Sequence, residues 1–389
     1  MSRSRRRQAG FTLIEMMIAL LISMLFSILI LSIFSRMSFS FHTQSAAVGM
    51  EQELGAAKTL LEVDAKQAGL AVSQGFKLAR DGAGTTMRSP IRIVNSNTGP
   101  DEIGFYYADP SAQAAVTANV VPPINAANKL TSVTVDNVTG FAANDLVVLS
   151  TPSTFVNPIN ASEAVIVQFD ACVLQIASIA GTTVNFQTSG SWGSANNDHC
   201  TGGVVANSTM LYKFVARAWR IDPTRPGLGA LQLDTTGDLL ATPTWNDMGY
   251  DFTDLQASTY FYDNDTDPTD SADPDTDGAR DWYSSTEQDT YTQNHLVTVP
   301  YMPPLLMSIS LVARTDTDAE GVYSQYTPNL ADPTSPAPPG TPGTNVSHNM
   351  VGDHSWVDTN TTANAALTGR RVYRYIRFQV DLRNLGVGR

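Results

Sequence analysis

Residues 10–34 read GFTLIEMMIALLISMLFSILILSIF. From Phe11 to Phe34 the one ionisable side chain is Glu15. As an α-helix this run measures about 36 Å, more than the ~30 Å hydrocarbon core of a bilayer. It follows a basic stretch, MSRSRRRQA, with Arg3, Arg5, Arg6 and Arg7 and no acid, and it is followed closely by Arg36 alone. That asymmetry predicts a cytoplasmic N-terminus and places the remaining chain across the membrane. A secretory signal would have a shorter apolar core and a small-residue cleavage site beyond it, and neither describes this segment. A carboxylate inside an apolar span is costly unless it has a partner, so Glu15 is read as functional.

The first of the chain's 21 prolines is Pro90. A helix that begins at Phe11 therefore meets no obligatory break until the head begins. Beyond Met37 the composition becomes mixed, with Val48, Leu54, Leu61, Ala65 and Ala68 at near-heptad spacing and Glu51, Glu53, Lys58, Glu62, Asp64 and Lys66 elsewhere. This predicts an amphipathic continuation over residues 36–72, packed on a head domain. The whole helix, from residue 11 to about 70, would be roughly 90 Å long. Gly49, Gly55 and Gly69 are expected to weaken it locally.

The chain has 389 residues, 42% of them hydrophobic, which excludes global disorder. Its formal net charge of −13 disfavours nucleic acid as a main partner. From residue 90 to 389 helical periodicity gives way to strand patterns, including Ile91 to Val94, Ile103 to Tyr107, Leu130 to Val135, Leu146 to Leu149, Val165 to Phe169, Val173 to Ile179, Tyr212 to Ile221 and Leu255 to Tyr262. Met307, Ile309 and Leu311 alternate along one later segment. Ile376, Phe378, Val380 and Leu382 do so along the last. Turn signals such as Ala180-Gly181 fall between these runs, so the head is expected to be a mostly antiparallel sheet and the chain an α+β protein. A β-rich module over 128–205 is read as an insertion, 263–284 as an acidic loop, and 326–365 as a Pro-rich then Ser/Asn/Thr-rich loop.

Gly10-Phe11-Thr12-Leu13-Ile14-Glu15 resembles the prepilin motif of type IV pilins and type II secretion pseudopilins. The resemblance implies residues 1–10 as a leader, removed between Gly10 and Phe11 by a prepilin peptidase that methylates the new N-terminus at Phe11, and a transmembrane helix over 11–35. It also implies that Glu15 meets the N-terminal ammonium of a neighbouring subunit and so registers assembly. Opposite charges in a low dielectric attract strongly, whereas either alone is costly, which agrees with that role. YKFVARAWRID (212–222), MGYDFTDLQASTYFYDND (248–265) and YIRFQVDLRNLG (375–386) extend the likeness, as do TGFAANDLVVLS (139–150) and CVLQIASIAGTTVNF (172–186). Together they look like a PilW-type minor pilin.

That resemblance implies a type IV pilin-like fold and a role in the tip or initiation complex of a type IV pilus, supporting twitching motility, adhesion or DNA uptake. The implied partners are other minor and major pilins and inner-membrane assembly proteins. The implied location is the inner membrane with a periplasmic head, then the extracellular pilus. Two other roles stay open: a minor pseudopilin of the type II secretion system, and a membrane-anchored adhesin or enzyme. The sequence has no G-x-S-x-G, P-loop, H-E-x-x-H or G-x-G-x-x-G motif, so it is read as a non-enzyme that requires no cofactor.

Eight aspartates lie between Asp263 and Asp281. Asp273, Asp275, Asp277 and Asp281 occupy positions 1, 3, 5 and 9 of an EF-hand-like loop with Gly278 at position 6, but Ser284 stands where the bidentate acid belongs. A structural calcium site and a solvated acidic turn facing water or Arg280 both remain open. Cys172 and Cys200, the only cysteines, enclose 27 residues in a compartment that permits disulfides; a bridge and two separate thiols are the alternatives. The arginines at 370, 371, 374, 377, 383 and 389 are read as pairing with acidic groups of this chain or a neighbour rather than with DNA.

Overall fold

The computed structural model describes residues 12–72, 75–78, 88–94, 100–119, 130–155, 166–189, 192, 206–222, 224, 229–239, 243–261, 281–283, 306–314, 350–351, 354–355 and 373–382. Helix α1 spans Leu13–Gln67, about 80 Å of continuous rod. Thr12 caps its start in extended conformation. The helix leaves its path at Ala68, whose ψ is 135°, and Gly69 takes φ 84°. Gly69 therefore lies outside the helix it was expected to weaken. It makes the left-handed turn that an L side chain resists.

Described residues before Ser45 are exposed along α1, while Met50, Leu54, Ala57, Leu61, Asp64, Ala65 and Ala68 are buried. Their spacing of three and four keeps them on one face. Val48, expected in this stripe, is 53% exposed, and Met50 begins it instead.

Fifteen strands follow among the described residues. They are β1 (Lys77–Leu78), β2 (Ile91–Val94), β3 (Glu102–Ala115), β4 (Ser132–Thr134), β5 (Leu146–Phe155), β6 (Ile166–Ala180), β7 (Thr183–Phe186), β8 (Met210–Ile221), β9 (Gly229–Asp234), β10 (Trp245–Phe261), β11 (Asp281–Tyr283), β12 (Leu306–Arg314), β13 (Met350–Val351), β14 (His354–Ser355) and β15 (Tyr373–Asp381). All but β13 and β14 join one sheet, ordered β15-β12-β10-β9-β8-β5-β6-β7-β4, with β2 and β3 on the other edge of β8 and β11 on β10. The pairing is antiparallel except for β1 beside β6. The chain is thus a long N-terminal apolar helix followed by a mostly antiparallel sheet.

Among the described residues two cores divide the head. The helix-side core packs the buried stripe of α1 against Ile103 and Phe105 of β3, Trp219 of β8, Phe252 and Leu255 of β10, Met307, Ile309 and Leu311 of β12, and Phe378 and Val380 of β15. The second joins the β4–β7 module to the opposite face of β3 and β8. There Phe76, just past the helix, packs edge-on to Phe214 at 5.1 Å and lies 5.2 Å from Tyr106. The helix exit is stitched down by main chain: Gly69 N–H donates to Tyr106 O, Ala108 N–H donates to Leu70 O, and the buried Ser150 hydroxyl donates to Ala71 O.

Candidate functional site

The first turn of α1 forms a reciprocal cap. Glu15 N–H donates to Thr12 Oγ1 at 3.3 Å, while the Thr12 amide and hydroxyl both donate to Glu15 Oε2 at 2.9 Å. This satisfies donors that the start of a helix leaves unpaired. Glu15 Oε1 has no partner among the described residues. Gly10 and Phe11, the residues of the expected cleavage and methylation, lie outside the described residues.

From Leu13 to Phe34 the helix is exposed throughout and, apart from Glu15, uncharged, and α1 is long and apolar enough there to cross a membrane by length and composition. Its apolar surface does not stop where the helix reaches the head. Val48, Gly49, Gln52, Ala56, Leu60 and Val63 continue an uncharged strip on the side turned away from the buried stripe. A Cβ at Gly49 or Gly55 would meet nothing within 4 Å, so the backbone is open to close approach there. Charges flank the strip: Lys66 pairs with Glu62 at 2.6 Å, and Glu51 with Arg374 of β15 at 3.4 Å. Lys58 lies over the Phe378 ring at 5.7 Å, tying the same flank to β15. On the opposite flank burial, then the nearby Asp251 charge, pushes the Glu53 carboxyl upward.

Asp64 behaves unlike the other charged residues of this half. Sequence spacing set it among the polar positions, yet it is wholly buried between α1 and the sheet. Its Oδ1 accepts from Arg217 Nη1 at 2.9 Å and Tyr107 Oη at 3.2 Å, and its Oδ2 from Trp219 Nε1 at 2.8 Å. Burial is the largest influence on its carboxyl and holds it above the ordinary 3.8, against the opposing pull of Arg217 and the three hydrogen bonds. Burial and the Asp64 charge likewise hold the Tyr107 phenol well above its usual range. The available signal was position: Asp64 lies three residues after Leu61 and four before Ala68, on the apolar face.

Cys172, in β6 between Leu149 of β5 and Lys77 of β1, is disulfide-bonded. Cys200, the other cysteine of the chain, lies outside the described residues. So do Asp273, Asp275 and Asp277, while Asp281 opens β11, of which only the backbone is described. Of the C-terminal arginines, Arg374 meets Glu51 of the helix and Arg377 Nε donates to Ser308 Oγ at 3.0 Å. No group of three or more metal-ligating side chains occurs among the described residues.

Residues 5–35 match the family model of the prokaryotic N-terminal methylation motif. Among solved structures, a type IV-like pilin from Thermus thermophilus is similar, with 11% identity over 62% of this chain and 87% of that one, at a TM-score of 0.21. No curated protein matches.

Proposed function

We propose that the chain is a prepilin-type membrane subunit that is cut between Gly10 and Phe11, methylated at Phe11, and built into a type IV pilus as a minor pilin. The observation that carries this reading is the methylation-motif match over residues 5–35, set at the start of a helix whose uncharged surface runs on past the apolar segment. Before assembly, lipid covers the apolar half of α1. In the fibre, helices of neighbouring subunits cover the same surface, so the subunit moves from one apolar environment to another. Glu15, with Oε1 free among the described residues, is the group that a neighbouring N-terminal ammonium would meet. The head then contacts other minor pilins in a tip or initiation complex. The role is structural, with no reaction assigned to it, and twitching, adhesion or DNA uptake would depend on the fibre it helps to start.

The test is intact mass and N-terminal sequencing of the protein recovered from membranes and from sheared surface fibres. Methylated Phe11 as the first residue in both fractions is the expected result. An uncut N-terminus, or absence from fibres, would reduce the motif to a plain anchor. A minor pseudopilin of a type II secretion system would carry the same N-terminus, and loss of protein secretion rather than of pili on deletion would identify it.

A further inference from the structure

Most of the joint between α1 and the head is non-directional. Met50, Leu54, Ala57, Leu61 and Ala65 offer the sheet a stripe of alkyl groups, and such surfaces tolerate repacking when volume and pattern are kept. A helix held by them alone has neighbouring seats, reached by rotating about 100° and sliding about 1.5 Å to the next residue. Asp64 is the charged side chain inside that stripe, and its three donors come from two adjacent strands. The β3–β8 register sets Phe105 opposite Arg217, Tyr107 opposite Val215 and Ile103 opposite Trp219, so all three donors stand on the helix-facing side. Moving α1 by one seat would take the carboxylate from all of them and leave buried polar groups unpaired on both surfaces.

We infer that Asp64, with Arg217, Tyr107 and Trp219, is the device that sets the rotation and axial register of α1 on the head. The alkyl stripe supplies the attraction. A buried ion pair is an inefficient stabiliser, because desolvation offsets much of its attraction, and what it can contribute is a single arrangement. The ion pair joins residues 153 positions apart, so it forms only when helix and sheet are both in place. Because α1 is one uninterrupted helix, its rotation at Asp64 also fixes which way Val48, Gly49, Gln52 and Ala56 face, and the azimuth of Glu15 at the far end. These four residues of the joint are positioning residues for a surface they do not touch. The inference stands whatever the helix goes on to bind.

The experiment uses the full chain in detergent micelles, with nitroxide labels at Gln52→Cys and Thr139→Cys and pulsed-EPR distance distributions as the readout. In an all-apolar joint (Asp64→Leu, Tyr107→Phe, Arg217→Met, Trp219→Phe), the melting temperature should stay within a few degrees of the parent or rise, while the distribution at least doubles in width or splits. Leu61→Ala should do the reverse, lowering the melting temperature while keeping the parent distribution. A folded apolar variant with an unaltered distribution, or Leu61→Ala broadening it as much, would overturn the inference. If the apolar variant does not fold, Trp219→Phe alone decides: it removes one donor and keeps a ring in the core, and an unwidened distribution then counts against the assignment.

Discussion

Thr12 and Glu15 hold each other at the start of α1, the Thr12 hydroxyl and amide both donating to Glu15 Oε2 at 2.9 Å. The carboxylate thus has a cap role inside its own chain besides the proposed one between chains, and two substitutions separate them. Glu15→Gln keeps a side chain able to accept from Thr12 but carries no charge, whereas Glu15→Ala loses both. If charge registers assembly, both variants should be recovered normally from membranes and both should be depleted from sheared fibres. Depletion of Glu15→Ala alone would assign the effect to the cap.

Arg217→Met should destabilise the head by about 3 kcal/mol near neutral pH, because it leaves the Asp64 carboxylate buried without its counter-charge. The pH dependence has a definite sign. A carboxyl whose pKa is raised in the folded state favours folding when protonated; that contribution is fully present below the unfolded value of 3.8 and is lost as pH rises through the folded value. Removing the arginine raises the folded value further. The melting-temperature gap between parent and variant should therefore narrow on going from about pH 8 to about pH 4. A gap that widens in acid would contradict this account.

Leu60 and Leu61 are neighbours in sequence with opposite surroundings: Leu60 is 38% exposed and Leu61 wholly buried. Leu61→Ala should cost about 3 kcal/mol through lost burial and the cavity left behind. Leu60→Ala should change stability by less than about 0.5 kcal/mol and instead lower recovery in fibres if its face meets another helix. Denaturant unfolding and fibre recovery measured on both variants separate the two faces.

Cys172→Ser should lower the stability of the β5–β6 region by about 3 kcal/mol. Hydrogen exchange should show faster opening of Val147 to Leu149 and of β1, which flank Cys172 on its two sides, while the helix–sheet joint keeps its protection. Adding reductant to the parent should reproduce the pattern, and addition to the variant should do nothing.

The helix and the two alternating strands were plain in the sequence because their signals are long and periodic. Met307, Ile309 and Leu311, and likewise Phe378 and Val380, lie in the helix-side core as their alternation implies. Short or locally polar elements were hidden. Val165 to Phe169 and Val173 to Ile179 read as two strands because Asp170 interrupts them, yet pairing with β5 carries one strand through from Ile166 to Ala180. β9 is buried at all six positions although it contains Gln232 and Asp234. Gln232 accepts from Arg220 and donates to Asp247, and Asp234 accepts from Thr236 in its own turn and from Thr244 N–H; apart from Thr236 these partners come from neighbouring strands and turns farther along the chain. Asp64 was missed for the same reason: its polarity argued for solvent, and its donors lie far along the chain.

The parallel pairing of β1 with β6 also bears on the order in which the molecule folds. Lys77 follows Gln67, the last residue of the helix, by ten positions, but the partners of β1, Cys172 and Val173, are made much later and sit in a strand that must also pair with β5. Closing so long a loop is slow relative to forming the local hairpins. The exit of the helix can therefore be fastened in two stages, first to Tyr106 and Ala108, which are nearer in sequence, and only later through β1 to β6.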